Sequence, residues 1–394
     1  MNCIGSRKKK NSSPFIVRLD NQHLHIISFQ VPYPPDYGGV IDVYYKIAAL
    51  HQAGIRIHLH CYQYDRPVAE ALASLCEEVH YYPRSAMWKY LFARTPFIVA
   101  TRNAAALVKR IQADEHPVLF EGLHTTASLK KLHASGRTCI VRMHNNEPQY
   151  YADLARREQR LFSRLYFQEE SRRLSTYEKV LEHADAICCI SPAETSHYAA
   201  AFDHVVHIPA FHGHQEVSSK TGFGTYILYH GNLRVNENVE AVLWILLHIC
   251  PYISTEVRIA GAQPDPRIYE AARHLSHVRI IPDPTHVELQ ALIQDAHIHL
   301  LPTFQETGMK LKLLNALYNG RFCLVTKQMI EETGIEPYCL IMHNADDAII
   351  AIRSYMQTPF TEEDKQFRAS IHQLYNDVRS AAMLTTLIAA QAAR

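Results

Sequence analysis

At 394 residues the chain is too long for one ordinary hydrophobic core and fits two domains of roughly 200 residues. Apolar content of 47% and charged content of 20% mark a globular chain, and a net charge of +1 excludes a general nucleic-acid binder. Nine cysteines without a C-x-x-C exclude a disulfide framework and a zinc ribbon, and they fit a reducing, cytoplasmic setting. No apolar run approaches about 18 residues, so no membrane-spanning helix is expected. Residues 1–20 carry Arg7-Lys-Lys-Lys10 with no apolar stretch behind it and read as a disordered tail.

In chain order, 24–31 reads as a strand, Pro32-Tyr-Pro-Pro-Asp-Tyr-Gly-Gly39 as a rigid loop, 40–52 as a helix and 55–62 as a second strand. That is a βαβ opening, the start of a Rossmann-like domain. The stretch 81–97 mixes Tyr, Trp88, Met, Leu and Phe with Arg84, Lys89 and Arg94. It suits either an interfacial segment, with rings at headgroup depth, or inward packing on the sheet. Further strands are expected at 79–82, 118–121, 138–144, 186–191 and 205–208, with helices between them, hence a parallel sheet. Functional loops in such sheets sit at the carboxyl ends of strands. Two are dense in polar groups there: Phe120-Glu-Gly-Leu-His124 and Val141-Arg-Met-His-Asn-Asn-Glu147.

Residues 209–224 read as an interdomain linker. A second alternating series opens at Thr225, with strands expected at 225–232, 256–260, 277–281, 297–301 and 322–326. The apolar run 239–249 predicts a buried helix. After the strand at 297–301, Pro302 and Gly308 mark a turn and a helix follows to Gly320, so a helix N-terminus opens at the end of a strand, a setting for a phosphate. On that helix Gly308, Lys312 and Asn315 share one stripe. A helix-compatible stretch runs from Phe360 to the end. Histidine is abundant (25), with His-x-His pairs at 23/25, 58/60, 212/214 and 297/299, but no third ligand is evident beside any pair and no HExxH occurs, so no metal is expected.

Gly308-Met-Lys-Leu-Lys-Leu-Leu-Asn-Ala-Leu317 with Asn319-Gly-Arg resembles the donor-binding helix of GT-B glycosyltransferases, in particular the group 1, family 4-like retaining class. The Pro32–Gly39 loop, the segment Arg142–Tyr151 and Tyr229-His-Gly-Asn232 resemble further motifs of the same family in the same order. Two departures stand out. Asn315 occupies the position of a ribose-binding glutamate, and Asn232 and Asn238 occupy those of two cations that clamp the donor diphosphate. The resemblance implies an α/β, GT-B fold with two Rossmann-like domains facing each other across a cleft: an acceptor domain over 21–210, a nucleotide-sugar domain over 225–360, and a helical segment over 361–394 crossing back to the first domain. It implies that Gly38, Gly39, Gly231, Asn232, Glu306, Thr307, Gly308, Met309, Lys310, Lys312 and Asn315 bind the donor. It places His144 at the reacting carbon, with Glu147 as the alternative polar partner. The implied activity moves a sugar from a nucleotide-diphosphate donor to a hydroxyl of a glycan or lipid-linked acceptor, with retention and without a metal. The setting is bacterial surface polysaccharide, lipopolysaccharide or glycoconjugate synthesis at the inner membrane face. A sugar-nucleotide 2-epimerase of the same fold and a non-catalytic binding protein are the alternatives.

Overall fold

The computed structural model describes residues 22–90, 93–158, 160–304, 311–331 and 333–393. The predicted tail, together with Glu306, Thr307, Gly308, Met309 and Lys310, lies outside the described residues.

The first sheet contains β1 (His23–Ser28), β2 (Arg56–Gln63), β3 (Glu78–Pro83), β4 (Val118–Glu121), β5 (Cys139–Met143), β6 (Ala186–Cys189) and β7 (Val205–His207). Its order is β3-β2-β1-β4-β5-β6-β7, and every pairing is parallel. The second contains β8 (Ile227–His230), β9 (Val257–Gly261), β10 (Val278–Pro282), β11 (Ile298–Leu301), β12 (Phe322–Thr326) and β13 (Leu340–Met342), in the order β10-β9-β8-β11-β12-β13, again all parallel. In both sheets the order reverses beside the first strand, which opens a crevice at the carboxyl ends on that side. The molecule is therefore α/β with two Rossmann-like sheets, as the residue pattern predicts.

Short runs such as Ile298-His-Leu-Leu301 and Phe322-Cys-Leu-Val-Thr326 are buried throughout because helices cover both faces of each sheet. The first sheet has a core on each side. One joins Ile26, Ile57 and Leu59 to Val43, Ile47 and Leu50 of the helix Gly38–Gln52. The other joins Ile27, Phe120 and Val141 to Leu174. The terminal stretch forms two helices, Glu362–Ala369 and Asp377–Ala392, rather than one continuous helix. The second lays Ala381, Leu384 and Ile388 into the first-domain core. Burying each of the two larger side chains stabilises this attachment by about 2 kcal/mol.

The apolar run after Val239 is only partly inside. The helix Asn236–His248 buries Val239, Val242, Ile245 and Leu246, but Leu247 is exposed. A helix on one face of a sheet hides one stripe, and an apolar residue beyond that stripe meets solvent.

Candidate active site

The carboxyl ends of β1, β4 and β5 and the start of the helix Gly38–Gln52 enclose a buried polar cluster. Asp42 and Lys46 lie one turn apart on that helix, where the inward stripe would otherwise be apolar. Lys46 Nζ donates to Asp42 Oδ2 and to Glu121 Oε2, each at 2.8 Å. Arg142 Nε and Nη2 donate to the two oxygens of Asp42 at 2.9 and 2.8 Å. The amide of Phe211 also donates to Asp42, at 2.9 Å. Arg142 further holds the carbonyls of Ile208 and Pro209, each at 3.1 Å, so one buried carboxylate ties the first domain to the start of the linker. Burial alone would raise both carboxyls. Arg142 and Lys46 outweigh it and hold Asp42 well below the usual carboxylate range, and Lys46 with His144 brings Glu121 below it as well.

His144 stands at the open edge of this cluster. Its Nε2 is 2.7 Å from Glu121 Oε2 and its Nδ1 is 3.7 Å from Asp42 Oδ2. The ionised Glu121 only accepts, so Nε2 carries a hydrogen. Both ring nitrogens thus face carboxylates, an arrangement that fixes the ring and suits an electrostatic or positioning part better than that of a free base. Gly39 lies against the same corner: a Cβ there would stand 2.9 Å from the ring of Phe29. That ring is 5.6 Å from His144 and 5.5 Å from His124. Gly38 faces open space. Gly122 takes φ +70°, turning the chain after β4 so that His124 folds back beside it. Burial, and then Arg102, keep His124 well below the ordinary imidazole range.

Glu147 begins the helix Glu147–Arg157, whose N-cap Asn146 accepts from the amide of Gln149. Its carboxyl is buried, 3.9 Å from His124 Nδ1, and burial followed by the neighbouring Glu194 pushes it up to about 8. Near neutrality it is a protonated acid, able to donate a hydrogen bond.

Across from this corner, at the carboxyl end of β8, one amide connects three of the expected donor residues. Asn238 Nδ2 donates to the carbonyl of Asn232 at 2.9 Å, and its Oδ1 accepts from Lys312 Nζ at 2.7 Å and from Tyr229 at 3.0 Å. The same side chain lies against Gly231, where a Cβ would be 3.3 Å away. Gly231, Asn232 and Lys312 therefore share one place. Asn315, on the next turn of the helix Leu311–Asn319, has other neighbours: its Oδ1 accepts from Asn319 Nδ2 at 2.8 Å and Gln290 Nε2 at 3.4 Å. The domains touch where Arg157 reaches Glu240 at 3.2 Å and the carbonyl of Phe304 at 2.6 Å.

Among the described residues two groups bring three ligand atoms within metal-binding reach. In Asp42–Glu121–His144 the ammonium of Lys46 already takes the cation's place between the carboxylates. In His23–His58–His116, His23 Nδ1 is already engaged with His58 Nε2 at 2.8 Å, and the rings of His23 and His116 stack at 4.4 Å and 12°.

Two Rossmann-like sheets, with the His144 corner on one domain and the Gly231 loop on the other, are the two-domain arrangement of the GT-B fold. Residues 224–357 match the family model described as glycosyl transferases group 1. In sequence the chain is 25% identical over 327 residues, 78% of this chain and 84% of the other, to an uncharacterized 44.6 kDa protein in the cps region of Klebsiella pneumoniae. In structure it is similar to HepE of Anabaena in complex with UDP and glucose, with a TM-score of 0.65 and 8% identity over 94% of this chain and 100% of that one. It is also similar to a TarM variant of S. aureus in complex with fondaparinux, α-GlcNAc-glycerol and UDP, with a TM-score of 0.64 and 9% identity over 93% of this chain and 100% of that one.

Proposed function

We propose that this glycosyltransferase moves a hexose from a nucleotide-diphosphate sugar to a hydroxyl of a glycan or lipid-linked acceptor, with retention at the anomeric carbon, during bacterial surface polysaccharide or glycoconjugate synthesis. The observation that carries the reading is the pairing of two built corners: His144 locked between Glu121 and Asp42 on one domain, and Lys312 beside Gly231–Asn232 on the other. Cleavage of a glycosyl–phosphate bond needs stabilisation of a leaving diphosphate and of a cationic sugar carbon. Lys312 serves the first, and the carboxylate-backed His144 corner serves the second. Glu147, kept protonated by burial, donates to a sugar oxygen. The scheme gives no part to a metal, and Lys46 already bridges Asp42 and Glu121. An epimerase would need a pair of carboxylates free to take up and deliver a proton, whereas Asp42 and Glu121 are spent on Lys46, Arg142 and His144 and leave Glu147 alone. The cps-region relative supports the polysaccharide setting, and the UDP held by the HepE and TarM structures supports a nucleotide-sugar donor.

A thermal-shift screen against UDP-, GDP- and dTDP-sugars tests the donor half, since a ligand at 100 times its Kd adds about 2.7 kcal/mol of stability. One of them is expected to raise the melting temperature, and Lys312→Ala to weaken that donor by about 2–3 kcal/mol, the scale of a lost charge-assisted bond. No shift with any sugar nucleotide would refute the donor assignment.

The acceptor half includes contact with the membrane face. Among the described residues no helix is long and apolar enough to cross a membrane. The 3₁₀ turn Met87–Tyr90 has no buried residue, Trp88 is 70% exposed, and Lys89 Nζ lies 5.8 Å from its ring. The helix Leu161–Tyr177 begins with Leu161, Phe162 and Leu165 exposed, and its Tyr166 packs on Phe97 of the same region. Aromatic rings with adjoining cations suit anionic lipid. Wild-type protein should co-sediment with anionic vesicles at low salt, and Trp88→Ser with Lys89→Glu should lose that binding. Retention of wild-type binding by the double variant would remove this segment from the docking surface.

A further inference from the structure

We infer that the first domain holds a site for the acidic group of a saccharide acceptor, carboxylate or phosphate, formed by Arg84 and backed by Arg102. This rests on the reading of that domain as the acceptor side. Arg102 is buried, and its nitrogens are spent on neutral oxygens: Nε on the carbonyl of Phe29 at 2.8 Å, Nη1 on that of Ile98 at 2.7 Å, and Nη2 on the hydroxyl of Tyr64 at 3.1 Å. Arg84 is half-buried and makes one bond, Nε to Thr101 Oγ1 at 3.1 Å, which leaves its two terminal nitrogens to a ligand. Both guanidinium carbons lie over the ring of Tyr64, at 4.8 Å for Arg84 and 5.3 Å for Arg102.

Among the described residues no carboxylate pairs with either arginine. Elsewhere the same domain matches its buried or partly buried cations with acids: Lys46 and Arg142 with Asp42, Arg66 with Asp36, and Arg137 with Asp114. The nearby Glu170 is committed to the amides of Phe97 and Ile98 at 2.9 and 2.8 Å. Glu147 lies within reach of the Arg102 charge but is held protonated by burial, so two like charges face one ring without an ionised partner, which is costly in a place shielded from water and is relieved by an incoming oxyanion. Guanidinium groups meet carboxylate and phosphate in a fork that fixes the direction of the ligand as well as its charge.

The site lies one side chain from the reacting corner. Arg102 holds the carbonyl of Phe29, whose ring contacts His144 and His124, and Tyr64 donates to Gln30 on the same loop at 2.6 Å. Tyr64 lies under both arginines, and Tyr151 and Tyr166 are near enough to act on the charge of Arg84. An acid one sugar or less from the accepting hydroxyl would thus be read by Arg84.

The test is a ligand-observed NMR titration of the full-length protein with D-glucuronate, glucose 6-phosphate and glucose. At least one acidic sugar should bind about tenfold tighter than glucose. That preference should vanish in Arg84→Gln, while its circular dichroism and its stabilisation by the sugar nucleotide stay as in wild type. The two acidic arms separate a carboxylate from a phosphate as the preferred group. Equal binding of acidic and neutral sugars by wild type, or a preference that survives in Arg84→Gln, overturns the inference. Loss of the nucleotide response alone would instead count against the transferase reading, because the sugar titration needs no donor.

Discussion

Acidification of this protein from pH 7 should unfold it well above pH 4, because its folded state keeps an unusual number of histidines neutral inside. The β1–β2–β3 register sets His25 beside His58 and His60 beside His80. The rings bond in pairs: His23 Nδ1 to His58 Nε2 at 2.8 Å, and His25 Nδ1 to His60 Nε2 at 2.9 Å. Each such bond needs one ring to accept, so it fails once both are protonated. Burial pushes His25 down to about 4 and His60 to about 2, and it does the same to His212 and His230, each to about 3. A folded pKa below the unfolded value of 6.5 means stability that is whole above pH 6.5 and is lost as pH falls through that value toward the folded one. At pH 4.5 each of the four withdraws on the order of 2–3 kcal/mol. Glu147, at about 8, and Asp377, at about 6, work in the opposite direction and offset roughly two of them. The remainder, joined by His214 and His299, is of the same order as the whole stability of a domain. Circular dichroism followed from pH 7 to 4 checks this: a cooperative loss between about 6 and 4 is expected, and a native signal at pH 4 would show that these rings accept protons without cost.

The second large effect belongs to Asp42. Replacing it with alanine strips Lys46 and Arg142 of their shared counter-ion and leaves Glu121 as the remaining carboxylate between them. Removing one partner of a buried ion pair costs about 3–5 kcal/mol, which for a domain of this size lowers the melting temperature by on the order of 10 °C. The linker loses its anchor at Phe211 in the same step. Combining Asp42→Leu with Arg142→Met should recover much of the loss, since apolar replacement of both partners removes the stranded charge. A single variant melting within about 2 °C of wild type would show that the cluster is not what holds the linker to the domain.

Much of the architecture is legible in the residues. Ile298-His-Leu-Leu301, closed by Pro302, and Phe322-Cys-Leu-Val-Thr326, just after Gly320, are short apolar runs, and they form β11 and β12. The three-residue β13 went unpredicted because Leu340-Ile-Met342 is too short to show a period. The site is less legible. Asp42 and Lys46 read as ordinary charges on an amphipathic helix, and their partners Glu121 and Arg142 lie 75 and 100 residues away. A cue was present, since an acid and a lysine one turn apart flank Val43 and Ile47 on the stripe that faces the sheet. Asn238 reads as a missing cation, yet its amide joins Lys312 to Asn232, a geometry that no local pattern contains. His116 stacks on His23 from the loop before β4, so the His-x-His pairs alone could not disclose it.

Transfer from a nucleotide-diphosphate sugar with retention can be followed without knowing the acceptor. Proton NMR during slow hydrolysis of an α-configured UDP- or GDP-hexose reports the anomer released first, before mutarotation mixes the two forms. Wild type should release the α-anomer first, and this release should fall steeply in both Lys312→Ala and His144→Ala while the fold is kept. Initial release of the β-anomer, or no turnover of any sugar nucleotide that binds, would contradict retaining transfer.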